Sequence, residues 1–187
     1  MIALWETIVA CILGLPLALL GAVTITRSIA IRGAARALSG ALRAVPELVS
    51  ALVLVLTYGF GPAAGILALG LHAAGFLGRF YADAMEDIAR GPVDALRALG
   101  ASRLTVWRVA VAPQVCPALV SSTAYVFDRN VRMATVIGLV GAGGIGQELK
   151  GRFDTYQYGH VGTILVAILL TVLALDAVSN WVRNRRR

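Results

Sequence analysis

Residues 7–26 run for twenty positions without a charge, enough at about 1.5 Å per residue to cross a hydrocarbon core about 30 Å thick. The pattern predicts a membrane helix there despite Pro16. A second uncharged stretch, 48–78, is too long for one ordinary span and is broken by Gly59-Phe60-Gly61-Pro62. It reads as a tight helical hairpin with arms over 45–59 and 63–79. The first arm opens at Pro46-Glu47, where proline suits the first helical turn and a carboxylate suits the positive end of the helix dipole, and Glu47 is given no other role. Both arms are short for lipid, so tilt or packing against neighbours is expected. From Phe80 to Ala112 charges mix with Leu, Val and Ala, which predicts an aqueous or interfacial helical segment over about 84–112. Apolar character returns over 113–139, with Asp128, Arg129 and Arg132 inside it, and over 161–181, with Asp176 near its end. The expected architecture is therefore a single all-α, polytopic membrane domain, 1–187, with about five transmembrane helices.

Composition agrees: the chain is 58% hydrophobic and 14% charged, where a soluble domain carries roughly a quarter charged residues. The net charge of +7 raises the question of nucleic acid, and the placement of the basic residues answers it. Most of the 17 Lys and Arg fall in three clusters: Arg27, Arg32, Arg36 and Arg43; Arg79, Arg90, Arg97, Arg103 and Arg108; Arg183, Arg185, Arg186 and Arg187. Setting all three on the cytoplasmic side leaves only Lys150 and Arg152 in outer loops, so the N-terminus is expected outside and the C-terminus in the cytoplasm. A cleaved signal peptide fits poorly, because no basic residue precedes Arg27 and Glu6 stands where a positive n-region belongs. Cys11 and Cys116 read as core or lipid-facing, and His72 and His160 as packed or hydrogen-bonded.

The segment Gly91-Pro92-Val93-Asp94-Ala95-Leu96-Arg97-Ala98-Leu99-Gly100 has the grammar of a short helix, with Pro92 at its start, Asp94 in its first turn and Gly100 closing it. Ser102 is placed to cap a second helix, on which Leu104, Trp107 and Val111 are expected to share one face. The spacing of Asp94-Ala95-Leu96, Gly100 and Ala110-Val111-Ala112-Pro113 resembles the cytoplasmic signature of binding-protein-dependent ABC importer permeases. In that signature Asp94 replaces Glu, Leu96 replaces Ala, and Ala110 and Ala112 replace Ile and Leu. The resemblance implies that residues about 91–103 form the coupling helix that docks on an ATP-binding subunit, with Asp94, Ala95, Leu96, Gly100 and Pro113 carrying the coupling.

In the fourth span, Asp128 and Arg132 are i, i+4 neighbours. Charges at that depth are costly unless they face protein or water. Two readings stand open: a face lining the path of an anionic solute, with Asp128, Arg129, Asn130, Arg132, Gly143 and Gly144 as its candidates, or a structural ion pair. Gly141-Ala142-Gly143-Gly144-Ile145-Gly146 matches GxGxxG, but it follows a membrane helix rather than a strand and reads as a cramped turn. Tyr125-x-Phe127-x-x-Asn130-x-Arg132, the run from Gly138 to Leu149, Phe153-Asp154-x-Tyr156-x-Tyr158 and Arg43-Ala44-Val45-Pro46-Glu47-Leu48 resemble the phosphonate-type branch of these permeases. Such members usually have a further helix upstream, so the present start is expected to be a shortened form or a misplaced initiation site. The resemblance implies a homodimeric subunit of the bacterial inner membrane that forms the path for a small anion, phosphonate first. Its partners would be two cytoplasmic ATP-binding subunits, an extracytoplasmic solute-binding protein, a second copy and the lipid bilayer, and not nucleic acid. With no GxxxxGK[ST] motif, the chain is expected to hold no cofactor, with ATP and Mg bound by the partner subunits. A methionine-type or other small-solute permease and a non-transporting membrane scaffold are the alternatives.

Overall fold

The computed structural model describes residues 1–184; the side chains of Arg103 and of residues 178–184 lie outside the described set, as do residues 185–187 with Arg185, Arg186 and Arg187. Its helices are α1 (Ile2–Gly21), α2 (Ile29–Ala44), α3 (Glu47–Tyr58), α4 (Pro62–Glu86), α5 (Arg90–Ala98), α6 (Arg103–Val106), α7 (Ala112–Gly138), α8 (Gly144–Asp154) and α9 (Tyr158–Asn184). A π-helical stretch, Trp107–Val111, joins α6 to α7. The fold is all-helical, as expected. Ile2–Gly21, Pro62–Glu86, Leu104–Gly138 and Tyr158–Ala177 are each long and apolar enough to cross a membrane, and α2 with α3, bent by 83°, supplies a fifth, broken crossing.

Small residues decide where the helices meet. Helix α1 lies parallel to α4 along Ala10, Gly14 and Ala18 on one side and Gly70, Ala73, Ala74 and Gly78 on the other. A methyl at Gly14 would sit 2.9 Å from Leu77 Cβ, and one at Gly70 would sit 2.9 Å from Val9 Cγ1. Close backbone approach of this kind replaces the hydrophobic drive that lipid cannot supply. Helix α1 also begins earlier than the uncharged run suggests, taking in Glu6, which faces α4 and is fully buried.

The basic stretch after α1, for which the sequence predicts no element, is the helix α2, and its polarity is inverted. Ala35 and Ser39 are buried and Arg36 and Arg43 half-buried, whereas Ile29, Ile31 and Leu38 are exposed. Arg36 donates to the carbonyl of Gly21 and to Glu86, tying α2 to the ends of α1 and α4. Val45 is extended, as a residue before proline prefers, and the chain turns there into α3.

At the opposite end of the bundle two turns interlock. The tip Gly59–Pro62 meets the glycine turn after α7: Gly61 N–H donates to the Gly141 carbonyl at 3.0 Å, and Phe60 covers Gly141. Gly141, Gly143 and Gly144 all have positive φ, 91°, 88° and 76°, and Gly138 and Gly146 touch backbone to backbone. Side chains at these positions would break both the turn and the contact.

A candidate translocation groove and its coupling helix

Helix α5 ends as its turn chemistry predicts. Gly100 adopts φ +73°, its N–H donates to the Arg97 carbonyl, and Ala101 N–H donates to the Leu96 carbonyl, the paired bonds of a Schellman cap. Ser102 Oγ then accepts from Thr105 N–H at 3.2 Å and caps α6. Val93 packs on Val106 and Ala110 with Leu96 alongside, while Asp94, Ala95, Arg97 and Leu99 remain exposed. Gln114 clamps the start of α5 to α7, accepting from Ala89 N–H at 2.8 Å and donating to the Ala110 carbonyl at 2.7 Å. The result is a short, stiff helix presenting one polar face.

Of the expected common face of Leu104, Trp107 and Val111, Leu104 and Trp107 are exposed together, at 60% and 57%, whereas Val111 packs inward with the buried pair Val106 and Ala110. The π-helical stretch explains part of this. Pro113 removes a donor and crowds the preceding turn, and the wider turn Trp107–Val111, closed by Ala112 N–H to the Trp107 carbonyl, absorbs that crowding while rotating the side chains.

Helices α4 and α7 run antiparallel and face each other with two half-polar stripes. On α4 these are His72, Phe76, Phe80, Asp83, Ala84 and Asp87; on α7, Gln114, Ala118, Ser122, Tyr125 and Arg129, at helical spacing. At the α5 end the stripes line a cavity of about 360 Å³. Toward the other end an aromatic ladder follows, with ring centroids 6.3 Å apart for Phe80 and Tyr125, 5.9 Å for Phe76 and Phe80, and 5.3 Å for His72 and Phe76.

The ladder ends in a charged cluster. Arg129 Nη2 donates to Glu47 Oε1, and His72 Nε2 lies 2.9 Å from that oxygen and 3.1 Å from Arg129. The Arg129 guanidinium stands 4.5 Å from the Phe76 ring centroid, and that of Arg43 stands 5.1 Å from the same ring. His72 and Phe76 lie about 15 and 21 Å along α4 from Pro62 at 1.5 Å per residue, which sets the cluster near the middle of that span. Glu47 and His72, given only local or packing roles by sequence, are thus partners of Arg129. The signal available was Glu47 beside Arg43, both within the Arg43–Leu48 motif.

The other sequence candidates sit elsewhere. Arg132 pairs with Asp128 at 2.6 Å and with Asp176 of α9 at 3.1 Å, the second open reading. Asn130 is buried and donates to Thr7 Oγ1 at 3.1 Å, fastening α7 to α1. Gly143 and Gly144 belong to the interlocked turns, with Gly143 against Pro62. Of the six residues assigned to the solute path, only Arg129 opens on the α4–α7 groove.

Apolar helices around a half-polar groove, with a stiff polar helix docked at one end, define a multi-pass membrane protein of the transport-permease class. The chain belongs to the family of binding-protein-dependent transport system inner membrane components, whose model matches residues 14–186. It is 61% identical over 152 residues to the putative phosphite transport system permease protein HtxE of Stutzerimonas stutzeri, covering 81% of this chain and 58% of that protein. It is 40% identical over 179 residues to the phosphate-import permease protein PhnE of Mycolicibacterium smegmatis, covering 96% of this chain and 34% of that protein. The chain thus spans less than two thirds of the length of either relative. Among solved structures, the inward-facing MetNI methionine ABC transporter superposes with a TM-score of 0.74 at 25% identity, covering 97% of this chain and 89% of that one.

Proposed function

We propose that this chain is the membrane-spanning subunit of an ATP-driven importer and forms the pathway for a small phosphorus oxyanion, phosphonate or phosphite in the first place. The observation that carries the reading is the 61% identity to a phosphite permease protein in a chain whose α4–α7 groove leads to paired arginines at mid-membrane. Charges at that depth cannot face lipid without a large penalty, so the half-exposed groove faces water or a second copy of the chain. A homodimer enclosing two such grooves meets that requirement. The chain is read as having no ATPase site of its own: hydrolysis comes from two cytoplasmic ATP-binding subunits, and the solute from an extracytoplasmic binding protein.

Helix α5 is the docking element, with Asp94, Ala95 and Leu96 at the contact, Gly100 setting its end and Pro113 the start of α7. The basic clusters support placing it and the C-terminus in the cytoplasm and the N-terminus outside. The open space around Gly100 means that a side chain there meets only backbone strain, about 1 kcal/mol. Gly100→Leu is therefore expected to leave the chain folded but to uncouple the subunits. In proteoliposomes holding the complete transporter, uptake of phosphite and methylphosphonate should be ATP-dependent, and Gly100→Leu should lose uptake while ATP hydrolysis escapes control by the binding protein. A wild-type complex that moves methionine but none of phosphite, methylphosphonate or phosphate would refute the solute class. Unchanged uptake and hydrolysis in Gly100→Leu would refute coupling through α5.

A further inference from the structure

The central cluster is unbalanced. Two guanidinium groups, Arg43 and Arg129, stand at the same Phe76 ring, and a single carboxylate, Glu47, answers them. Glu47 meets Arg129 and His72 through Oε1 alone, and its Oε2 is buried without a partner and does not reach Arg43. Among the described residues Arg43 has no ion-pair partner, and its Nε is buried without a hydrogen-bond acceptor. Its stem is seated deliberately: it lies flat on α4 at Gly75, where a methyl would stand 2.9 Å from Arg43 Cγ and 2.7 Å from the Ser39 carbonyl. His72 Nδ1 is likewise buried and unpartnered.

A cation fixed at mid-membrane without a counter-charge and with its buried Nε unanswered is a costly arrangement, and an anion in the groove removes the cost. The geometry points to a holding station for a small tetrahedral oxyanion between Arg43 and Arg129, walled by Phe76. The oxyanion answers the charge and the free Nε of Arg43 and shares Arg129 with Glu47. This assignment rests on the permease reading and names the residues at which the solute pauses. The charge along the groove then changes sign. Beyond Phe80 the cavity at the α5 end is lined by Asp83 and Asp87, with Arg79 paired to Asp83 at 3.0 Å. An anion is held at the arginines and repelled from the mouth, so it does not linger where it must leave. Glu47 prevents the site from becoming a trap, since it regains Arg129 fully once the anion departs.

The test uses the complete transporter in proteoliposomes with radiolabelled phosphite. Arg43→Gln should cut the maximal uptake rate by about tenfold or more, while Arg43→Lys keeps it within about threefold, because the charge and not the packed volume matters. Arg32→Gln, on the same helix but away from the ring, serves as the control. Each variant is used only where it still co-elutes with the ATP-binding subunits. A second measurement needs no variant: phenylglyoxal modification of the wild-type complex, read by peptide mass spectrometry, should be slowed by phosphite at Arg43 and Arg129 and not at Arg132. Unchanged uptake in Arg43→Gln, equal loss in the Gln and Lys variants, or equal modification of Arg43 with and without phosphite overturns the station. Each of these leaves the permease reading intact, provided that the wild type takes up phosphite. A wild type that takes up no phosphorus oxyanion fails the permease reading first.

Discussion

Two arginines three positions apart on α7 live in opposite circumstances. Arg132 meets two carboxylates, Asp128 and Asp176, and is 41% exposed on the side facing α9. Arg129 meets one carboxylate and a second arginine's ring partner in a half-buried groove on the side facing α4. A 3.6-residue turn separates their directions by about 60°, and that rotation divides a closed network from an open one. The closed network sets two carboxylates against one guanidinium, has no positive charge to spare, and serves to hold α7 against α9. The open one has positive charge in excess and can answer a solute.

Removing each arginine should separate the two roles. Arg129→Ala strips Glu47 of its partner and the groove of half its positive charge, so phosphite uptake should fall about a hundredfold, equivalent to about 3 kcal/mol. Uptake within threefold of wild type would erase the distinction. Tyr125→Ala, which breaks the aromatic ladder above the cavity without touching a charge, should slow uptake by a smaller factor, about three to ten, and leave binding-protein docking unchanged. Arg132→Gln should have the smallest effect on transport, less than about twofold. Its cost is stability: a half-exposed pair contributes about 0.5–1 kcal/mol, seen as a slight drop in the melting temperature of the detergent-purified complex. A larger transport defect in Arg132→Gln than in Arg129→Ala would reverse the assignment of the two faces.

What the sequence made legible was local. The end of α5 could be read because Gly100 and Ser102 act through their own backbone within a few residues, and the structure shows the Schellman bonds and the cap at those positions; its start could not, since α5 opens at Arg90, two residues before Pro92. The two glycine turns could be read for the same reason. The central cluster could not, because its members lie 25, 57 and 82 positions apart and meet only through packing of α3, α4 and α7: Glu47 to His72, His72 to Arg129, and Glu47 to Arg129. Helix α2 escaped because its arginines suggest a loop in water. In the fold Arg36 turns inward onto Gly21 and Glu86 and Arg43 onto the Phe76 ring, while Ile29, Ile31 and Leu38 turn out. Val111 misled because a regular 3.6-residue period was carried from Leu104 and Trp107 across a stretch that Pro113 widens into a π-turn.

The most direct test of the account is whether water and solute follow the α4–α7 groove. Single cysteines placed at Ser122 in the groove and at Leu169 on the exposed apolar face of α9, in a background with Cys11 and Cys116 replaced by serine, are to be probed with a charged, membrane-impermeant thiol reagent in the assembled transporter. The account predicts that Ser122→Cys reacts, that its rate changes between nucleotide-free and ATP-bound states, and that phosphite uptake is blocked once it is modified. A Ser122→Cys that stays unreactive in every nucleotide state, or whose modification leaves uptake untouched, would contradict it.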